Sequence, residues 1–144
     1  MIEGPDPCQL HRFVDAQERV FETALLELQE GRKQNHWIWF IFPQLAELGR
    51  SPTSRFYGIS SLHEARAYLA HPLLGGRYRQ CVEAVRSWAG RKDAAEILGD
   101  VDAMKLRSSL TLFEVASGDP LLAEVLQAFF EGPDDATLQI LKRS

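Results

Sequence analysis

Asn35-His36-Trp37-Ile38-Trp39-Phe40-Ile41-Phe42-Pro43-Gln44 holds two of the chain's three tryptophans and two of its eight phenylalanines. Read as a helix over residues 36 to 42, it has Trp37, Phe40, Ile41 and Gln44 on one face at i, i+3, i+4 spacing. His36, Trp39, Phe40 and Pro43 fall on the adjoining face, and Ile38 and Phe42 cover the remainder. A helix apolar all round is either a membrane span or the centre of a globular core, and about ten residues fall far short of the roughly twenty that cross a bilayer. The stretch is therefore expected to be a short buried central helix. Asn35 is its expected N-cap, and Pro43 ends it, because proline lacks an N–H and clashes with the preceding turn.

Upstream, Phe13, Ala16, Val20, Ala24 and Leu28 recur at helical spacing among charged residues until Gly31, which suits a C-cap. Residues 1–8, with one glycine and two prolines, read as a loosely held lead-in. The connection from Gly31 to Asn35 is short enough to make the first helix and the aromatic helix antiparallel neighbours. Downstream, residues 45–60 lose all periodicity and form the longest irregular segment, anchored by Phe56 and Tyr57. Ser61-Leu62-His63-Glu64 has the form of a capping box, opening a helix that stops by His71-Pro72. Leu73 to Trp88 continues as a helix whose first turn Gly75-Gly76 should weaken, and Arg79, Glu83 and Arg86 read as its solvated face. After a short turn from Asp93 to Leu98, helices follow over Val101–Val115, Leu121–Phe130 and Asp135–Leu141, punctuated by Gly99-Asp100, Gly118, Asp119-Pro120 and Gly132-Pro133. No β-alternation or internal repeat is present. The expectation is one all-α domain spanning residues 1–144, with about six to seven helices around the aromatic one.

A chain of 144 residues can bury a sizeable single core without a disulfide staple. Cys8 and Cys81 have neither metal-ligand nor redox spacing and read as isolated thiols, with a disulfide between them left open. The N-terminus has no basic start followed by an apolar core, and no stretch is long enough to span a bilayer, so a soluble cytoplasmic protein is expected. With 16 Lys plus Arg against 20 Asp plus Glu, the net charge of -4 gives no global attraction to nucleic acid. No phosphate-cradling P-loop, G-x-G-x-x-G or G-x-S-x-G motif is present, and no His-x-x-x-His, Cys-x-x-Cys or paired carboxylate run suggests a metal or a cofactor.

The Val101–Val115 helix is the most anomalous after the aromatic one. Leu106, Leu110 and Phe113 form an apolar stripe, while Asp102, Lys105, Ser108 and Ser109 line up along another, and Arg107, Thr111 and Glu114 along a third. Ser108-Ser109-Leu110-Thr111 is a poor choice for helix propensity, because the hydroxyls compete for backbone bonds. One reading is close helix packing with Lys105 paired to Asp102; the other is a pocket floored by the aromatic helix, in which Lys105 and Arg107 contact an anion and Ser108 and Ser109 hydrogen-bond the ligand. Trp37, Trp39 or Tyr57 would wall that pocket, Gln44 would border it, and His36 is the acid-base candidate at its mouth.

The runs His36 to Gln44, Leu48-Gly49-Arg50-Ser51, Phe56-Tyr57-Gly58-Ile59, Glu64 to Gly75, and Asp102 followed by Lys105 to Phe113 together resemble the bacterial domain-of-unknown-function family 1810, members of which are sometimes labelled calpastatin. The resemblance covers roughly residues 10–141. In that pattern methionine is common where this chain has Ile38 and Leu110, and glycine where it has Glu47. It implies a mainly α-helical single domain in a bacterial cytoplasm and supplies no mechanism. The element order is also faintly similar to the YbiA-like glycosidases, all-α enzymes that cleave N-glycosidic bonds of ribosylated intermediates, and none of their catalytic residues is carried over to this chain. The resulting expectation is a site for a small polar ligand, phosphorylated or ribosylated, with N-glycosidase-like hydrolysis as its enzymatic form. The alternative is a non-enzymatic interaction module or homodimer.

Overall fold

The first helix, α1 (His11–Glu30), is long because its apolar positions keep helical spacing and its end is fixed by Gly31 at φ 74°. The Gly31 and Arg32 N–H groups close back onto the carbonyls of Leu28 and Glu27, satisfying the last turn of the helix. The computed structural model describes residues 6–143. The expected lead-in thus lies partly outside the described residues; within them, Asp6 accepts from the Leu10 and His11 N–H groups and so holds the start of α1.

The aromatic stretch follows and differs from its expected form. Only Ile38–Ile41 is helical (α2), with Trp37 at its N-cap and no side-chain cap. Asn35 does not cap it; its side-chain amide is drawn back to Glu27 instead. Glu27 is the reason. Its carboxylate accepts from the backbone N–H of Gln34 at 2.8 Å and of Asn35 at 3.1 Å, from Asn35 Nδ2 at 2.5 Å and from Trp37 Nε1 at 2.9 Å. With its partners fixed there, residues 34–37 stay out of the helix, bending at Asn35 and His36, and only one helical turn remains before Pro43. Trp37, Ile38, Ile41 and Phe42 are buried, while Trp39 and Phe40 are half-buried.

The remaining helices are α3 (Pro52–Phe56), α4 (Leu62–Ala70), α5 (Leu74–Arg86), α6 (Ala94–Leu98), α7 (Asp100–Ser117), α8 (Pro120–Phe130) and α9 (Asp135–Lys142), with a 3-10 turn at Ala46–Leu48. Among the described residues there are nine helices and no strand, two more helices than the periodicity suggested. The additions are α3 and α6, five residues each, and both begin with a capping box, Ser51 with Ser54 and Asp93 with Glu96. Helix α7 packs against α4, α6, α8 and α9, so it shares the centre of the fold with the aromatic turn. A run of ring contacts joins them: Phe13 to Tyr68 at 5.1 Å, Tyr68 to Phe113 at 5.2 Å, Phe113 to Tyr78 at 4.6 Å and Tyr78 to Phe42 at 5.8 Å.

Residues 45–59 form a closed excursion. The Ala46 N–H donates to Ile59 O and the Ile59 N–H to Gln44 O, both at 2.9 Å, giving an isolated parallel bridge between Leu45 and Ile59. Arg12 staples the far side: its guanidinium donates to the carbonyls of Phe56 and Gly58 and to Glu64 Oε2 at 2.7 Å. Glu64 was expected to close a capping box on Ser61. Its N–H does reach the Ser61 hydroxyl, but its carboxylate turns to Arg12 and to the Ser60 N–H and hydroxyl.

Gly75 and Gly76 separate two explanations for glycine in the first turn of α5. A Cβ on Gly75 would lie 2.0 Å from Leu69 O, whereas one on Gly76 would meet nothing within 4 Å. Gly75 is therefore the contact point of α4 and α5, and only Gly76 is a propensity loss. Gly75→Ala should lower stability by about 1–3 kcal/mol, and Gly76→Ala should raise it by about 0.5–1 kcal/mol. Urea unfolding of the two variants checks the contrast.

A second expectation concerns acid. Burial alone pushes the Glu27 carboxyl up, but the hydrogen bonds from Gln34, Trp37 and Asn35 outweigh it and hold the group below its ordinary 4.5. Its stabilisation is therefore complete at neutral pH and is lost as pH falls from the ordinary carboxylate range through the lower folded value. Glu27→Gln should cost about 1–3 kcal/mol at pH 7 and flatten the acid limb of a stability–pH curve measured by urea unfolding.

Candidate functional site

Helix α7 was expected to turn a hydroxylated stripe towards a ligand. The hydroxyls are instead consumed within the protein. Ser109 is fully buried and its Oγ lies 2.9 Å from the Tyr78 hydroxyl. Ser108 Oγ donates to Met104 O at 3.2 Å, and Thr111 Oγ1 donates to Arg107 O at 2.8 Å while accepting from the Asp134 N–H. Arg107 Nε donates to Gly132 O at 3.1 Å, with the guanidinium above the Phe130 ring. Arg107, Ser108 and Ser109 thus tie α7 to α5, to the Gly132 turn and, through the Ser108 hydroxyl and Asp134, to the N-cap of α9. None of them lines a common cavity with the aromatic turn.

Trp37 is likewise structural. It is fully buried, donates to Glu27, and carries the Lys33 ammonium 5.1 Å from its ring centroid. His36 is exposed and makes no hydrogen bond with any described residue, so the geometry gives it no catalytic partner.

The other four expected residues do converge. Trp39, Gln44, Tyr57 and Lys105 line one crevice together with Ile38, Phe42, Pro43 and Ser54. Its free volume is about 10 Å³, close to the space of a single water molecule. Trp39 comes from α2, Gln44 from the start of the 45–59 excursion and Tyr57 from its end, and Lys105 reaches across from α7. The Leu45–Ile59 bridge sets the spacing of Gln44 and Tyr57, and ring contacts fix Tyr57 against Phe13 at 5.9 Å and Phe40 at 4.7 Å.

Two features distinguish this crevice electrostatically. Trp39 Nε1 is the one buried side-chain polar atom among the described residues without a hydrogen-bond partner; such orphaned donors are rare and each calls for a physical reason. Lys105 Nζ lies 5.2 Å from the Trp39 ring centroid and 3.9 Å from Asp102 Oδ1. Asp102 gives its other oxygen to the buried Lys33 at 2.9 Å. One carboxylate therefore faces two ammonium groups, and the nearer one takes most of its charge. The expected pairing of Lys105 with Asp102 exists only in this long, shared form.

Ser54, Lys33 and Asp102 complete the surroundings. Asp102 was visible on the polar stripe of α7, while Lys33 sits in a connection with no periodic signal and Ser54 in a segment read as irregular. The Ser51-Pro52-Thr53-Ser54 pattern was the available signal for Ser54, since serine followed by proline suits a helix start.

The largest cleft lies elsewhere. It encloses about 560 Å³ between the Asp6–Leu10 turn and α4, with Cys8, His11, His63 and His71 on its walls. His11 Nδ1 is bonded to Asp6 and His71 Nδ1 accepts from the Leu73 and Leu74 N–H groups. Local structure thus accounts for those two histidines, and the unsatisfied donor marks the smaller crevice as the candidate. Among the described residues no group of His, Cys, Asp and Glu is placed to hold a metal ion. Cys8 and Cys81 are free thiols; burial pushes Cys81 up to about 12.

A family model described as a protein of unknown function, DUF1810, matches residues 7–141. The chain belongs to this family. The crystal structure of the conserved hypothetical protein Rv1873 from Mycobacterium tuberculosis is 44% identical, and the match covers 95% of this chain and 99% of that one with a TM-score of 0.92. No functionally curated protein matches the chain. Family and structural likeness therefore carry the fold, and the site has to be read from its own chemistry.

The two tryptophans of the aromatic turn should respond differently to substitution. Trp37→Phe removes a donor to a buried carboxylate and leaves a gap in the core, for a loss of about 2–4 kcal/mol. Trp39→Phe removes an unsatisfied donor from a half-buried ring and should cost less than about 1.5 kcal/mol. Equal losses in guanidinium unfolding would contradict the assignment of Trp39 Nε1 as partnerless.

Proposed function

We propose that the protein binds a small polar molecule at the crevice between the aromatic turn and α7. The observation that supports this is a buried donor, Trp39 Nε1, without a protein partner, in a ring that lines a crevice with Lys105, Gln44 and Tyr57. The Gln44 amide and the Tyr57 hydroxyl make no hydrogen bond with any described residue, so both remain available to a ligand. Trp39 and Lys105 offer donors only. The complementary ligand group is an acceptor, and the ammonium favours a negative one.

Binding is better supported than hydrolysis. No carboxylate lines the crevice among the described residues, and His36 lies outside it, so the position offers no general acid or base of the kind that glycoside cleavage uses. The ligand reaches a site too small to enclose it, and it therefore binds at the mouth with one group inserted, unless the 45–59 excursion opens.

Self-association is a second reading, and it rests on Val101 and Met104, one turn apart on α7 and 70% and 53% exposed. Two side chains make a small patch beside the roughly 800 Å² per partner of a standard interface, which places this reading behind the first.

A thermal-shift screen over nucleotides, ADP-ribose, sugar phosphates and small organic acids tests the binding reading. A genuine ligand at about a hundred times its Kd adds about 2.7 kcal/mol of stability. The shift should shrink in Lys105→Met and in Trp39→Phe. A panel that leaves the melting temperature unmoved throughout would sink the reading, and a mass that rises with concentration in light scattering would favour self-association.

A further inference from the structure

The charges and dimensions of the crevice narrow the class of its ligand. Resting on the binding reading above, we infer that the inserted group is a carboxylate, and that the site is built for monocarboxylic acids rather than for phosphorylated compounds.

Charge is the first ground. Lys105 is the one cationic side chain lining the crevice among the described residues, and Asp102, 3.9 Å from it, is held more closely by Lys33 at 2.9 Å. The local excess is a single positive charge, which balances a monoanion. A phosphate near neutral pH carries up to two negative charges and is usually met by an arginine fork or by the free N–H groups of a helix N-terminus. The two arginines nearest in sequence to lining residues point elsewhere, Arg55 donating to Gly49 O and Arg107 to Gly132 O.

Size is the second. A free volume of about 10 Å³ admits one oxygen-sized atom, on the scale of a single water. A carboxylate is planar and can insert one oxygen edge-on while its second oxygen stays at the mouth. A tetrahedral phosphate that inserts one oxygen has three more spread around the mouth, where a single ammonium faces them. In the inferred geometry the walls that now cover Trp39 Nε1 part enough for the inserted oxygen to accept from it, satisfying the orphaned donor. The outer oxygen faces Lys105 Nζ, with the Gln44 amide and Tyr57 hydroxyl as neutral donors beside it.

The indole N–H of Trp39 is its own reporter. In a nitrogen-15 correlation spectrum of the full chain the three tryptophans give three indole signals, and Trp39→Phe identifies the relevant one. Acetate and formate should shift that signal saturably, whereas inorganic phosphate and neutral acetamide should leave it in place. Lys105→Met should weaken acetate binding about tenfold or more, as loss of one charge-assisted hydrogen bond does, and Lys105→Arg should retain most of it. Stronger binding by a peptide with a free C-terminus than by acetate would assign the carboxylate to a chain end; the reverse would assign it to a free acid, and either result supports the carboxylate. Equal response to phosphate or acetamide overturns the inference. So does an indole signal silent to carboxylates while the thermal screen finds another ligand, and that result leaves the binding reading standing. Silence in both experiments overturns the two together.

Discussion

The Glu27 carboxylate is the interaction on which the arrangement of the chain depends. A carboxylate with 6% exposure is destabilised by the loss of water, and it remains charged only because several donors converge on it. Those donors belong to residues 34–37, the connection that leads from α1 into the aromatic turn. The group therefore converts a stretch with no periodic pattern into a fixed one and determines where α2 begins. It also places Trp37 in the core, and Trp37 supports Lys33, which in turn takes Asp102 from Lys105. The long, shared contact that Asp102 leaves to Lys105 is in this sense a distant result of a carboxylate on the first helix.

Polar groups elsewhere in the interior follow the same rule. Gln17 donates to Phe40 O and to the Tyr68 hydroxyl, joining α1 to the aromatic turn and to α4. Arg12 and Glu64 share a pair at 2.7 Å and distribute their remaining bonds over backbone groups at both ends of the excursion. Ser109 and Tyr78 satisfy each other between α7 and α5. Such groups add little net stability, but leaving any one unpaired would be costly, so they specify one packing among many. Among the described residues, Trp39 Nε1 stands out as the one buried side-chain polar atom without a hydrogen-bond partner.

Much of the fold was legible because it rests on local rules. Gly31, Ser61, Gly118 and Asp119 are caps recognisable from residue type and position, and they bound α1, α4, α7 and α8 where the periodicity changes. The aromatic helix was misjudged in length because its limit comes from Glu27, whose hydrogen bonds reach seven to ten residues along the chain. The same error scattered the site. Trp37 and Trp39 seemed interchangeable as walls, yet one is bonded into the core and the other borders the crevice. On α7 the hydroxyls of Ser108 and Ser109 did signal unusual surroundings, but a hydroxyl bonded to a neighbouring helix and one bonded to a ligand have the same sequence signature. Lys105 was visible on the polar stripe of α7, but no sequence pattern shows that Asp102 holds Lys33 at 2.9 Å and Lys105 only at 3.9 Å.

The contact between Leu45 and Ile59 has a consequence for how the protein can vary. Because the excursion leaves and rejoins the core at adjacent points, its length is decoupled from the packing beneath it. Loop-closure entropy grows only slowly, by about 0.6 kcal/mol for each doubling of length, so residues can be added to or removed from its outer part with small effect on folding. Gln44 and Tyr57 stand at the fixed base, whereas Ser54 belongs to the part that can change. Of the residues lining the crevice, Gln44 and Tyr57 are thus tied to the core, while Ser54 lies in the part of the wall that can differ between related chains.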